Sequence, residues 1–354
     1  MMRQSSIASL AVLLAACTSS SSTTPPLDAV AIAPPPAPTV ASAPKHAAPD
    51  AINPRLLRRF QPLDQAAAPE NPALVDLGRM LFFDKRLSRD RDVSCNSCHR
   101  LDRYGVDHEA TSTGARGKRG RRNAPTVYNA AGHVRAFWDG RAADLAEQAK
   151  GPILNPLEMA MPDGASVVRV LVAIPGYVTA FERAFPGAAR PITYDHVGRA
   201  IAAFEKGLVT PSRWDRYLAG DASALTKREV AGLRLFSDTG CMACHTGRYL
   251  GGSSFQKAGV TRPWPNQRDQ GRFEVTAAPA DRMVFKVPGL RNVAMTAPYF
   301  HDGSAKTLEE AVGTMARVQL GEELSTEDIG LIVAWLGTLT GELPAEYIRE
   351  PALP

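Results

Sequence analysis

The sequence predicts a mainly α-helical protein made of two similar tandem domains with long loops. Apolar residues recur at helical spacing in several segments, and no segment alternates convincingly between apolar and polar residues as a half-buried strand does. A heptapeptide, Gly78 to Asp84, has a close counterpart in Gly232 to Asp238, and each precedes a cysteine motif. A repeat of this kind indicates two copies of one structural unit.

The N-terminal segment is expected to lie outside the fold. Residues 1–16 combine Arg3 with a short apolar run and end at Leu14-Ala-Ala-Cys17, which resembles a bacterial lipobox. We therefore expect residues 1–16 to be a lipoprotein signal peptide and Cys17 to carry the lipid, with ordinary cleavage nearby as the alternative. Residues 17–50 are rich in Ser, Pro and Ala and predict a tether. Thr18 after Cys17 resembles outer-membrane sorting, so the expected location is the periplasm, with a lipid anchor in the outer membrane.

The first domain is predicted over residues 51–215. Leu74, Leu77 and Leu81 give an apolar stripe to a helix that ends shortly before Cys95-Asn-Ser-Cys98-His99. Two more helices are predicted over residues 166–173 and 194–208. The boundary should lie near residues 210–221, where Pro211 and Gly220 interrupt the helical pattern.

The second domain is predicted over residues 216–354. Thr226-Lys-Arg-Glu229 is a capping box that begins the helix leading to Cys241-Met-Ala-Cys244-His245. Residues 252–280 are rich in Gly, Pro and Gln and predict a loop. A second capping box, Thr307-Leu-Glu-Glu310, opens a helix that contains Met315, and a last helix is predicted over residues 327–338.

The two C-x-x-C-H motifs predict covalent attachment of two haem c groups. Two thiols at this spacing can add to the two vinyl groups of a haem, and the following histidine can bind the iron. The attachment residues are Cys95, Cys98 and His99 in one motif, and Cys241, Cys244 and His245 in the other. The predicted domains are therefore cytochrome c-like haem domains. A redox dithiol and a zinc site made of all four cysteines are the alternatives, but the first needs no following histidine and the second leaves both histidines unexplained.

Charge and the remaining motifs exclude several classes of function. The formal net charge of +5 is mildly basic, which fits docking to acidic partners and gives no ground for nucleic-acid binding. The sequence has no Ser/His/Asp triad, phosphate loop or zincin motif. His133 and His196 are expected to be ordinary surface or helix residues. With Cys17 and the four motif cysteines assigned, no disulfide is predicted.

Several further motifs, taken in their order along the chain, resemble the bacterial di-haem cytochrome c peroxidase family, to which MauG is related. The resemblance spans about Leu74 to Gly341. It rests on Asn123-Ala-Pro-Thr126, Phe137-Trp-Asp-Gly-Arg141, Glu147-Gln-Ala-Lys-Gly-Pro152, Pro156-Leu-Glu-Met159 and Thr296-Ala-Pro-Tyr-Phe-His301.

The resemblance implies different tasks for the two haems. His99 would be the proximal ligand of the low-potential haem at which peroxide reacts, and His245 that of the high-potential haem that accepts electrons. Met315 falls at the family's distal methionine position, where a thioether favours the reduced iron. MauG-like relatives have tyrosine there. A plain core role is the alternative for Met315.

The resemblance also implies the catalytic groups. Glu158 matches an acid/base glutamate, Gln148 the glutamine beside it, and Trp138 a tryptophan between the two haems. Peroxide must lose one proton to bind and its distal oxygen must gain one to leave, and a carboxylate within reach can do both. A solvated surface position is the alternative for Glu158, and a core position for Trp138.

A calcium ion and a homodimer are further implications of the resemblance. Asn123, Thr296 and Pro298 match a calcium site, with a side-chain oxygen from the first and backbone carbonyls from the others, as a hard cation prefers.

One position departs from the family pattern. Many members have a histidine eight residues before the asparagine of the Asn-x-Pro-Thr motif, which closes the peroxide-reacting iron in the oxidised enzyme. Ala115 stands there and cannot bind iron, although His108 is near in sequence. We therefore expect a site that is open even in the oxidised protein. The adjoining loop, residues 116–122, is strongly basic and is expected to be solvated and mobile, to pair with haem propionates, or to dock an acidic donor.

The sequence as a whole predicts a di-haem peroxidase that reduces hydrogen peroxide to water with electrons from a small periplasmic c-type cytochrome or copper protein. The alternatives are a MauG-like oxidase of a protein or organic substrate, which Met315 disfavours, and a non-catalytic electron carrier with two six-coordinate haems.

Overall fold

Two helix pairs of the same design form the framework of the structure, a computed structural model that describes residues 52–64 and 68–354. In the first pair, helix α2 (Pro72–Phe83) packs against α7 (Tyr194–Glu205). In the second, α9 (Lys227–Asp238) packs against α12 (Thr326–Gly337). In each pair the first helix leads into a C-x-x-C-H motif.

A glycine allows the close approach within each pair. A Cβ atom at Gly78 would lie 1.9 Å from the carbonyl oxygen of Ala200 on α7. A Cβ atom at Gly232 would lie at the same distance from the carbonyl oxygen of Leu331 on α12. Both contacts are far below van der Waals distance, so only glycine permits these helix crossings. The predicted sequence repeat therefore corresponds to a repeated packing arrangement.

The helix ends follow the local sequence. The side chain of Asn71 caps α2 by accepting a hydrogen bond from the backbone amide of Leu74. Pro72 occupies the first turn, where a backbone N–H would have no partner within the helix, so its absence loses no hydrogen bond. Thr226 and Glu229 form the predicted capping box of α9. Thr307 and Glu310 form the predicted box of α11.

Further helices complete the two halves. In chain order they are α1 (Pro54–Leu57), α3 (Cys95–Cys98), α4 (Leu145–Leu154), α5 (Gly164–Val172), α6 (Pro175–Ala184), α8 (Arg213–Leu218), α10 (Phe273–Thr276) and α11 (Leu308–Met315). After α11 the chain continues as a π-helical segment, Ala316–Leu320. Short 3₁₀ turns occur in the connections.

The expectation of a mainly helical protein is confirmed, with local differences. The predicted loop 252–280 contains the strand β1 (Phe255–Lys257), which pairs antiparallel with β2 (Val284–Lys286), and also the short helix α10. Three-residue strands are too short to show an alternating pattern, so periodicity could not reveal them. The predicted boundary segment contains α8, which begins at a capping box formed by Ser212 and Asp215.

Two main hydrophobic cores divide the described residues. The first is formed by buried side chains of α2, α4, α5, α6 and α7, and the second by those of α8, α9, α11 and α12. The first described residues pack in the second core, and residues near the end of the chain pack against the first core. Phe60, near the start of the described chain, packs edge-on against Trp214 in the second core, with ring centroids 5.2 Å apart. Tyr347, near the end, stacks on Phe204 in the first core at 5.2 Å.

The membrane-related expectations concern residues outside the described part of the chain. The signal peptide, Cys17 and the tether all lie before residue 52. Within residues 52–64 and 68–354, no single helix is long and apolar enough to cross a bilayer. The pair α5 and α6 reaches the required length and composition only together, across a bend of 107°.

Candidate functional site

The first C-x-x-C-H motif forms a capped helical turn followed by a buried histidine. Ser94 and Ser97 make a capping box at the start of α3, and His99 follows the last residue of that helix. The ring Nδ1 of His99 lies 3.3 Å from the carbonyl oxygen of Gly105. Burial lowers the pKa of His99, which favours the neutral ring. With Nδ1 held by a carbonyl, Nε2 is left as a lone-pair donor for a metal.

The second motif repeats this arrangement with a different turn. Gly240, at a φ of 97°, precedes a 3₁₀ turn over Cys241–Ala243. The positive φ explains the glycine. The Nδ1 of His245 lies 3.0 Å from the carbonyl oxygen of Leu250, and burial again lowers the pKa of the histidine. Both histidines therefore present Nε2 in the same way.

The cysteines fit haem attachment better than the two alternatives. Burial raises the pKa of Cys98 to about 11 and that of Cys241 to about 12, whereas a reactive dithiol needs a lowered thiol pKa. No group of three or more His, Cys, Asp or Glu residues in the described chain is arranged to hold a metal ion, so the four cysteines do not converge on a zinc site. Paired thiols beside an oriented histidine are the donor set that a covalent haem requires.

Glu158 lies on a turn just after α4. The amide nitrogen of Asn155 donates to its Oε1 at 2.8 Å and thereby orients the carboxyl group. Burial raises the pKa of Glu158, and the charge of Arg141 opposes that rise. The charge of Glu158 contributes to the raised pKa of both Cys95 and Cys98, so the carboxylate is within electrostatic range of the first attachment motif. The surface alternative for Glu158 does not fit this half-buried, oriented position.

The departure at Ala115 lies directly against this turn. Ala115 is 1% exposed, and its amide donates to the Glu158 carbonyl oxygen at 2.7 Å. His108, the substitute considered from sequence, is exposed, and its Nδ1 lies 2.9 Å from the carbonyl oxygen of Ala297. Gln148 is half-buried on α4, the helix that leads to the Glu158 turn.

Trp138 and Met315 pack against one small buried cluster. Its members are Trp264, Met283, Phe285 and Val318. The indole N–H of Trp138 donates to the backbone oxygen of Asn123 at 2.9 Å. Met315 is half-buried at the end of α11, so the core alternative and a ligand role both remain compatible with its position.

Asn123 joins the two segments that were expected to form a calcium site. Its backbone amide donates to the carbonyl oxygen of His301 at 2.8 Å, at the end of the segment that also contains Thr296 and Pro298. The Asn123 side-chain nitrogen donates to the Glu109 carbonyl oxygen at 3.0 Å, which leaves its oxygen as an acceptor. Amide and carbonyl oxygens are suitable ligands for a hard cation.

The basic loop is largely neutralised by acidic residues. Arg116 pairs with Asp90 at 2.9 Å and Arg119 with Glu109 at 3.0 Å, both at the surface. Arg122 is mostly buried and binds Asp269 through two nitrogens, at 2.6 and 2.7 Å, and also Asp139. The expectation of a wholly solvated loop is therefore wrong for Arg122, because Asp269, 147 residues away in sequence, binds it together with Asp139.

Glu205 is a buried carboxyl group that the sequence analysis did not single out. It is 5% exposed on α7, and burial raises its pKa to about 8. Its charge contributes to the raised pKa of Cys95, so it is near the first motif. Its burial could have been predicted from the helical period, because Glu205 follows Val197 and Ile201 at intervals of four residues and therefore lies on the same inward face of α7.

Comparison with known proteins assigns this arrangement to a family. Residues 72–223 match the family model described as di-haem cytochrome c peroxidase. The chain is 48% identical over 297 residues to the cytochrome c551 peroxidase of Nitrosomonas europaea, covering 83% of this chain and 87% of that protein. It is 44% identical over 315 residues to the cytochrome c551 peroxidase of Pseudomonas aeruginosa, covering 86% and 90%.

MauG proteins are also similar, at lower identity. The MauG protein of Methylorubrum extorquens is 37% identical over 300 residues, which cover 81% of this chain and 83% of that protein. The crystal structure of a MauG-like protein associated with microbial copper homeostasis superposes with a TM-score of 0.70 at 30% identity. That superposition covers 82% of this chain and 98% of the other.

Proposed function

The chain belongs to the di-haem cytochrome c peroxidase family and is an oxidoreductase, and we propose that it reduces hydrogen peroxide to water with electrons from a small periplasmic protein. That donor is a c-type cytochrome or a cupredoxin. Two haems, attached at Cys95 and Cys98 and at Cys241 and Cys244, supply the redox chemistry. His99 and His245 would hold the two haem irons, one in each of the two proposed haem domains.

The observation that supports peroxidase chemistry most directly is the state of Glu158. Its carboxyl group is half-buried, oriented by Asn155 and within electrostatic range of the first motif. As the base it takes a proton from peroxide, and as the acid it returns a proton to the departing oxygen atom. A pKa raised by burial suits a group that must both accept and donate near neutral pH. Gln148, on the helix before this turn, is proposed to hold peroxide by hydrogen bonding.

The second half is proposed to accept and store electrons. Met315 and His245 would hold the iron of the second haem, and a thioether ligand would favour the reduced state of that iron. Trp138 would provide an aromatic path between the halves, which agrees with its contact with the same buried cluster as Met315. One electron stored there and one from the iron of the first haem would together supply the two electrons that peroxide takes up, so no side chain would need to be oxidised.

Ala115 is proposed to leave the first site open in the oxidised protein. Its methyl group cannot bind a metal. Ala115 is buried against the Glu158 turn, so no metal-binding side chain is present at this position. His108 is engaged with Ala297. The protein should therefore need little or no reductive activation.

A calcium ion at Asn123, Thr296 and Pro298 is part of the proposal. Removal of calcium by a chelator should lower turnover, and added Ca²⁺ should restore it better than Mg²⁺, which needs stricter octahedral geometry. Unchanged turnover after chelation, with calcium shown to be absent by elemental analysis, would reject a functional calcium site.

Attachment through lipid on Cys17 to the outer membrane is the remaining proposal on location. A Cys17→Ser variant should move from the membrane fraction to the soluble periplasmic fraction while retaining haem. A homodimer stays a prediction.

Steady-state oxidation of a reduced small c-type cytochrome by hydrogen peroxide tests the proposed activity. Peroxide-dependent oxidation at many turnovers per enzyme is expected, and a reduced cupredoxin tested in parallel would identify the donor class. A non-catalytic carrier would show no such turnover and would bind cyanide at neither haem. A MauG-like oxidase would show no donor turnover, although peroxide would still change its haem spectrum.

A further inference from the structure

A buried lysine, Lys286, has no carboxylate partner in the described part of the chain. It is the last residue of β2 and is 9% exposed. Its Nζ lies 3.1 Å from Nδ1 of His133, the one side chain among the described residues that it contacts by hydrogen bonding. Burial lowers the pKa of Lys286 to about 8, which reflects the cost of a cation without a counter-ion.

His133 is held as an acceptor for this lysine. Burial and the neighbouring lysine lower the pKa of His133 to about 3, so the ring is neutral and Nδ1 can accept. Its ring meets that of Tyr249 edge-on, with centroids 5.6 Å apart. A Cβ atom at Gly252 would lie 2.2 Å from the ring, so Gly252 allows the close packing. His133, expected to be an ordinary surface or helix residue, is half-buried after a 3₁₀ turn and packs against Tyr249 and Gly252.

The pair borders the second haem-attachment motif. Tyr249 and Gly252 belong to the turn whose Leu250 carbonyl binds Nδ1 of His245. The backbone amide of Lys286 donates to the Trp138 carbonyl oxygen at 2.7 Å, which links the lysine to the proposed aromatic path. Lys286 is therefore a buried cation that His133 connects to the turn holding His245.

A haem brings two carboxylates of its own, the propionates. A lysine ammonium has three donors, and His133 uses one of them. We propose that Lys286, supported by His133, binds a propionate carboxylate of the haem attached to Cys241 and Cys244. The ligand class is a carboxylate, and the contact is a charge-assisted hydrogen bond in a buried site. This inference rests on the proposed function insofar as it requires a haem at the second motif.

The ammonium has a redox consequence. A buried positive charge near the second haem stabilises the added electron and raises the reduction potential, in the direction that electron storage requires. Replacement of Lys286 by methionine removes the charge and leaves the propionate without its partner. The reduction equilibrium of that haem should then become less favourable by on the order of tenfold, which is about 59 mV for a one-electron couple.

Three variants of the full chain separate charge from packing. Lys286→Met removes the charge, Lys286→Arg keeps it, and Lys257→Met is the matched control on the adjacent strand, where the lysine is exposed. The readouts are haem content per chain, the midpoint potentials of both haems, and the propionate bending bands in resonance Raman spectra.

The expected result has three parts. Lys286→Met lowers the reduction potential of the second haem and shifts a propionate band. Lys286→Arg leaves both close to their values in the unaltered protein. Lys257→Met changes neither. Loss of one haem in Lys286→Met alone, with retention in Lys286→Arg, would also support the propionate contact.

Two results would overturn the proposal. One is a Lys286→Met protein with two haems and the potentials and spectrum of the control. The other is equal loss of haem in Lys286→Met and Lys286→Arg, which would make Lys286 a packing residue. Neither result bears on peroxidase activity, whereas fewer than two haems in the unaltered protein would instead reject the proposed function.

Discussion

The two halves of the molecule share a scaffold and differ in what surrounds it. Each has a helix pair in contact at a glycine, Gly78 or Gly232, followed by paired cysteines and a histidine whose Nδ1 meets a backbone carbonyl. The first is next to the Glu158 turn, and the second is followed by α11, whose Met315 packs on an aromatic cluster. We therefore propose that the shared scaffold positions each haem and that the surrounding loops give the two halves different chemistry.

The helices themselves also differ at one buried position. Phe204 and Trp335 occupy equivalent sites. Each lies four residues after the residue whose carbonyl oxygen faces the crossing glycine, and its Cβ atom is also close to that glycine. The next residues are Glu205 in the first half and Leu336 in the second, 5% and 3% exposed. A carboxyl group thus replaces an apolar side chain in the half where we propose proton-coupled chemistry.

The largest expected effect concerns Glu158. Glu158→Gln removes the proton carrier and should lower kcat by roughly 10²–10⁴-fold while both haems remain bound. If ionised Glu158 accepts the first proton as proposed, kcat/KM of the unaltered protein should fall as pH drops through the raised pKa of this group. That acid limb should be absent in the variant. Stopped-flow and steady-state peroxide assays across pH measure both.

Glu147→Gln is the matched control for Glu158→Gln. Glu147 lies in α4, the helix before the Glu158 turn, but its carboxylate is exposed and pairs with Lys150 at the surface. Its kcat should equal that of the unaltered protein. Equal kcat in Glu158→Gln would remove the catalytic difference between the two halves.

The next effect tests the shared scaffold. Gly78→Ala and Gly232→Ala each place a methyl group against helix backbone and should lower the free energy of unfolding by about 3 kcal/mol or more. Gly337→Ala, at the end of α12 where nothing lies within 4 Å of the added atom, should be neutral or slightly stabilising. Chemical denaturation of the haem-loaded protein gives the three values. A large cost for one glycine only would show that the packing is not equivalent.

A smaller effect is expected from replacing Glu205 with leucine, the residue found at the equivalent position of the second half, Leu336. A carboxyl group with a folded-state pKa near 8 and an unfolded pKa near 4.5 stabilises most below pH 4.5 and progressively less as pH rises to 8. Glu205→Leu should therefore raise the free energy of unfolding by about 1–3 kcal/mol at pH 8, with a smaller gain at pH 5. Denaturation at the two pH values tests this. A gain that does not depend on pH would mean that folding does not raise the pKa of Glu205.

The smallest effect is expected at the basic loop. If electrons enter at the second half, reversal of an exposed charge beside the first site should change the donor KM by no more than about twofold at low salt. Lys118→Glu is the suitable variant, since Lys118 is exposed and adjoins the Arg116 turn. Measurement of donor KM at low and high ionic strength decides it. A large rise that disappears in high salt would place donor docking at the first half instead.

Local features of this fold could be predicted from sequence, because their causes lie within a few residues. The capping boxes at Thr226 and Thr307 begin helices as expected, and the apolar stripe of α2 lies in the first core. Predicted helices differ from the observed ones mainly at their ends. The predicted helix 194–208, for example, ends at Glu205. The two C-x-x-C-H motifs could also be recognised from sequence, because the spacing of their cysteines and histidine defines them.

Features that depend on distant partners could not be predicted. Arg122 lies in a basic run that resembles a solvated loop, yet Asp139 and Asp269 bind it. The Lys286–His133 contact joins residues 153 positions apart. The packing of Phe60 in the second core and Tyr347 against the first depends on how the two halves associate. No local pattern encodes such contacts.

The most direct test of the proposed division between the halves is peroxide turnover started from two oxidation states. Reduced small c-type cytochrome is mixed with peroxide and with protein that is either fully oxidised or reduced beforehand by one electron. Equal turnover without a lag in both is predicted, because Ala115 leaves the first site open while the second half stores the electron. Turnover only after prior reduction would contradict the open first site, and no turnover from either state would contradict the peroxidase assignment.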